Sequence, residues 1–87
     1  MDETFLENQL NEINKAWEGI KDRGNKDLES KLQIIRSFIL SLMHPEEFND
    51  IQREDLRKLA KELNYDATTE FSKWWQLNQT IVSSGVE

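Results

Sequence analysis

The chain has no cysteine, one histidine, one proline and three glycines among its 87 residues. The missing cysteines exclude a disulfide framework, a thiolate zinc site and a cysteine nucleophile, and they suit a reducing compartment. A lone histidine, His44, leaves out the metal centres and acid–base triads that need several converging groups. A di-iron carboxylate bundle needs two Glu-x-x-His pairs, yet the residue three places before His44 is Ser41. Its place beside Pro45 instead marks a helix C-terminus, where a basic side chain complements the backbone dipole. Valine is scarce, so a sheet would lack its β-branched supply, while straight-chain helix formers abound. Long apolar runs are missing too. The greasiest stretch, Leu32 to Met43, spans about 12 residues and contains Arg36, which falls short of a bilayer crossing. Met1-Asp2-Glu3 is acidic where a secretory leader is basic. Glycine-rich phosphate loops, nucleophile elbows and dinucleotide fingerprints are also lacking. Windows opening at Asp22 and Asn64 put Asp27 and Thr69 where a calcium loop requires glycine. The expectation is a cytoplasmic, non-enzymatic protein with no metal, no cofactor and no membrane span.

What is present is helical rhythm. Leu6, Leu10, Ile13, Trp17 and Ile20 recur at steps of four and three, and Leu28, Leu32, Ile35, Ile39 and Leu42 repeat the pattern. At 3.6 residues per turn each set lines one side of a helix. Lys21-Asp22-Arg23-Gly24-Asn25 reads as the turn of an antiparallel hairpin between them. Leu, Ile, Val and Phe fill 23 of 87 positions, above the share at which disorder becomes the better reading. The spacing predicts an all-α single domain, a small four-helix bundle of up-down or distorted form. Its helices cover about 4–21, 26–43, 51–64 and 67–82, and residues 83–87 form a loose tail. Thr4 and Glu7 have capping-box spacing at the first helix. Asn25 or Asp27 caps the second, and Pro45 ends it, with one extra turn following. Gly19 either frays the first helix or admits a close neighbour. Asn64 suits a turn with positive φ. The expected core comprises Leu10, Ile13, Trp17, Leu32, Ile35, Ile39, Leu42, Leu56, Leu59, Leu63, Phe71 and at least one of Trp74 and Trp75. Ile81 and Val82 extend the apolar arc of the last helix, with Asn78 inside it.

Seventeen acids against 11 bases give a net charge of −6, which favours a basic partner and repels nucleic acid at long range. A non-enzymatic protein–protein interaction module is the reading by elimination: an inhibitor, an immunity- or antitoxin-like protein, a phage-type modulator or an assembly subunit. It would act by occluding a partner's surface. Candidate contacts are Trp74 and Trp75, adjacent on the last helix, Leu40, about 60° beyond its helix's apolar arc, and the steering acids Glu12 and Glu18. At the level of class the chain is similar to the small immunity proteins that cover bacterial nuclease toxins. The Tyr-Tyr-Pro element expected after their second helix is absent, and no family is assigned. An alternative is a helix-turn-helix DNA binder built from helices 3 and 4, with Arg53, Arg57, Lys61 and Lys73 as contacts. The recognition helix would expose one base, Lys73, so the electrostatics outweigh the pattern. A homodimeric structural element is the third reading.

Overall fold

The computed structural model describes residues 3–86, and the side chains of residues 4–78. Four α-helices carry the chain: α1 (Glu3–Ile20), α2 (Lys26–Met43), α3 (Asp50–Glu62) and α4 (Phe71–Val86), with a short 3₁₀ turn at Pro45–Glu47. No strand occurs among the described residues. The fold is all-α. α1 opens at Glu3, one place ahead of the expected start, so Thr4 lies inside the helix rather than at its cap. A reciprocal capping box does occur, but at α3, where the Asn49 side chain accepts from Gln52 N at 2.8 Å and Gln52 Oε1 accepts from Asn49 N at 3.0 Å. Asn25 caps α2 by accepting from Leu28 N, Gly24 turns the hairpin at φ 70°, and the His44 N–H closes α2 on Leu40 O.

α2 packs against α1 on one flank and α3 on the other, and α4 returns against α1. Ile13, Leu32, Ile35 and Ile39 are the centre of the core. Leu10, Trp17, Leu42, Leu56, Leu63 and Trp75 are half-buried around it. One expected core residue is misplaced: Leu59 remains 40% exposed, and its neighbour Ala60 is fully buried instead. The reason lies in how α3 ends. Asn64 takes φ 62°, Tyr65 N donates to Ala60 O and Asn64 N donates to Lys61 O, both at 2.9 Å. These are the two bonds of a Schellman motif, which folds the residue after the turn back over the helix's last inward position. Tyr65 and Ala60, joined by the first of these backbone bonds, are both almost fully buried.

The segment from Tyr65 to Glu70, expected to begin the fourth helix near residue 67, is not helical. The Asp66 carboxylate accepts from the Thr68 N–H at 2.8 Å and from the Thr68 hydroxyl at 2.7 Å, an alternative to helical bonding that short polar side chains offer the backbone. Its end of the chain is held by rings. Tyr65 meets Phe38 and Trp74 edge to face at centroid distances of 6.3 and 5.8 Å, and the Trp74 indole N–H donates to Leu63 O at 2.8 Å. α4 then starts at Phe71 because Gln9 of α1, itself buried, accepts from the Phe71 N–H at 2.7 Å. The same amide donates to Phe5 O, one turn earlier in its own helix. α4 also continues through Val86, so the expected loose tail is helical up to that residue. Glu87 and the side chains of Ile81 and Val82 lie outside the described residues.

Replacing Gln9 by leucine keeps volume but strips a buried N–H of its acceptor, so destabilisation of about 1–3 kcal/mol is expected. Urea unfolding followed by tryptophan fluorescence measures it. Gly19 is exposed and a Cβ there would meet open space, so no close neighbour requires a glycine at this position. Gly19→Ala should stabilise the protein by up to about 1 kcal/mol in the same assay.

Candidate interaction surface

Open grooves lie between helix pairs, three of them lined by described residues. The first, about 390 Å³, is lined by Asn14 and Trp17 of α1 and by Leu32, Gln33, Arg36 and Ser37 of α2. The second, about 430 Å³, runs between α2 and α3, where Phe38, Ser41 and Leu42 face Asp50, Arg53, Glu54 and Arg57. The third, about 360 Å³, joins Glu12, Lys15 and Ala16 of α1 to Phe71, Ser72, Trp75 and Gln76 of α4.

The two adjacent tryptophans have different fates. Trp74 is 5% exposed and commits its indole N–H to Leu63 O, so it belongs to the core and is not a surface anchor. Trp75 is half-buried, stacks on Phe71 at a centroid distance of 5.8 Å and an interplanar angle of 17°, and walls the third groove. Glu12 joins it there, with Lys15 Nζ 3.6 Å from its carboxylate. Glu18 is not brought to this groove; its carboxylate lies 2.7 Å from Lys21 Nζ at the end of α1. Leu40 is half-buried on α2, one turn beyond Arg36 on the first groove's side. The structure thus unites Trp75 with Glu12 and leaves Leu40 and Glu18 elsewhere. Leu77 and Ile51 are the most exposed large apolar residues described, at 66% and 74%.

The basic stripe of α3 is matched within its own helix. Arg53 pairs with Asp50, and Arg57 grips Glu54 at 2.5 Å. The latter contact holds the Glu54 carboxyl below its usual range through the hydrogen bond first and the charge second. On α4, Lys73 sits 3.5 Å from Glu70. Lys61 is exposed. A helix-turn-helix joins its helices by a turn of about three or four residues, whereas residues 63–70 separate α3 from α4 here.

The Asp66 carboxyl is held low by the hydrogen bonds of Thr68 and then Thr69, and it is exposed. No cluster of three His, Cys, Asp or Glu side chains that could hold a metal ion occurs among the described residues. No helix among them is long and apolar enough to cross a membrane. Comparison of the chain with protein-family models, with curated proteins and with solved structures finds no match.

Tyr65 is the residue whose chemistry the sequence left unannounced. Its hydroxyl is buried and has no hydrogen-bond partner among the described residues, and burial, then the nearby Asp66 charge, pushes the phenol above its ordinary range. Because the raised value favours the neutral form in the fold, its contribution is intact below the unfolded pKa of about 10 and is lost as pH climbs beyond it. Tyr65→Phe should leave stability unchanged or raise it by about 1 kcal/mol at neutral pH, since an unsatisfied group is removed. The variant should also lose stability less steeply than the wild type above pH of about 10. Parallel thermal melts across that pH range measure both effects.

Proposed function

We propose that this chain is a non-enzymatic interaction protein that occludes a partner's surface through the groove between α1 and α4. The observation that carries the reading is Trp75, stacked on Phe71, half-buried in an open groove and flanked by the carboxylate of Glu12. A rigid aromatic body set in place by a buried ring loses little freedom on binding, and tryptophan is enriched among interface hot spots. The net charge of −6 supports a basic partner, drawn in by the field and then held by the apolar wall. Inhibitor, antitoxin-like, immunity-like and assembly-subunit roles all share this mechanism. The ion pairs on Arg53, Arg57 and Lys73 weigh against a nucleic-acid partner.

Capture from the source cell with wild-type and Trp75→Ala baits, run side by side, tests the reading. Trp75→Ala should weaken binding of the captured protein by about 2 kcal/mol, roughly thirtyfold in Kd. Association should slow as salt rises and slow further in Glu12→Lys. Identical retention by both baits, with an association rate indifferent to salt, would remove the proposal.

A further inference from the structure

Among the described residues the first groove is lined by α1 and α2 alone. α3 reaches α2 past Phe38, Ser41 and Leu42, and α4 reaches α1 past Gln9, Glu12 and Ala16. Both therefore lie on the far side of the hairpin from Trp17, Arg36 and Leu40 (helical spacing sets these on the opposite flanks of their helices). Among the described residues one broad face of the hairpin is left without a covering helix. Trp17 and Leu40 are half-buried on it, and Arg36 stands exposed between them.

The charges on this face are complementary to themselves. Glu29 precedes Arg36 by two turns and sits about 20° round the axis from it, so the two share one stripe of α2. Among the described residues neither makes an ion pair, as is also true of Lys26, Lys58 and Lys61, whereas Lys31, Arg53 and Arg57 are matched to an acid within four residues. A helix stripe that carries an unpaired cation and an unpaired anion two turns apart meets its own requirements when a second copy lies antiparallel to it. The two-fold axis then passes near Leu32 and Gln33, the middle of the groove, and each Arg36 faces the other copy's Glu29.

We infer that the α1–α2 face is a two-fold interface between copies of this chain, held by reciprocal Arg36–Glu29 pairs around Trp17 and Leu40. Each helix of the face has 18 residues, a length of about 27 Å. A patch roughly 20 Å wide buries on the order of 1,000 Å² in total, at the lower end for specific association. The dimer is accordingly weak and reversible. It uses a face separate from the α1–α4 groove, so its test is independent of the reading above.

Sedimentation equilibrium of the full chain at physiological ionic strength, from low micromolar to sub-millimolar concentration, provides the test. Wild type should show a monomer–dimer equilibrium. Arg36→Glu and Glu29→Arg should each lower the association constant at least about tenfold, since every substitution counts twice across the axis. The double reversal should restore association because the exchanged charges meet again. Circular dichroism confirms the fold in each variant. A wild type that stays monomeric throughout, a dimer indifferent to Arg36→Glu, or a double reversal no better than the single variants would each overturn the inference.

Discussion

A single buried amide ties the first helix to the last. Gln9 stands on α1 and offers its side-chain oxygen to the Phe71 N–H, a separation of 62 residues. The first N–H groups of any helix lack internal partners, and in a buried setting each must find an acceptor. Gln9 supplies one, and the position of α4 follows from it. Phe71 enters the core, Trp74 turns toward the end of α3, and Trp75 is left against the wall of the α1–α4 groove. The amide is itself held by donating to Phe5 O. Without that second bond it would be free to turn away from its acceptor role.

The connection between α3 and α4 reflects the same shortage of apolar material. A domain of this size has little to bury, so even the interhelical segment contributes a ring. Tyr65 reaches the core through the Schellman turn at Asn64 and packs against Phe38, Phe71 and Trp74. The cost is a hydroxyl with no partner among the described residues. Four helices of modest length cannot cover one another on every side. The hairpin is sealed on one face by α3, α4 and the aromatic cluster, while its other face keeps Trp17 and Leu40 at the surface. Both candidate interfaces arise from this shortfall in coverage.

Much of the fold was legible in the residues. The five-membered seams of α1 and α2 placed those helices within one residue of their observed ends, because a 3.6-residue period sustained over about four turns fits a helix and not a strand. Asn25, Gly24, Pro45 and Asn64 announced the turns through their backbone preferences. α4 was harder. Asp66, Thr68 and Thr69 look like the opening of a helix, but they bond among themselves and delay it to Phe71. Leu59 and Ala60 were ranked by hydrophobicity, whereas the way α3 turns at Asn64 leaves Ala60 buried and Leu59 exposed. Of the surface residues, Trp75 and Glu12 proved to share a groove, while Trp74 did not reach the surface.

Periodicity and turn chemistry are local, written within a few residues of where they act, so the sequence alone determined that the chain is all-helical, where α1 and α2 run and how they are joined. Gln9, Tyr65 and Arg36 are different. A polar residue on a helix carries no mark of being a cap for a distant helix, a buried ring or an unpaired charge beside a tryptophan. Their roles depend on what stands opposite them in space. Only the packing of α4 on α1 and of α3 on α2 decided which faces closed and which stayed open, because that choice rests on contacts between residues far apart in the chain.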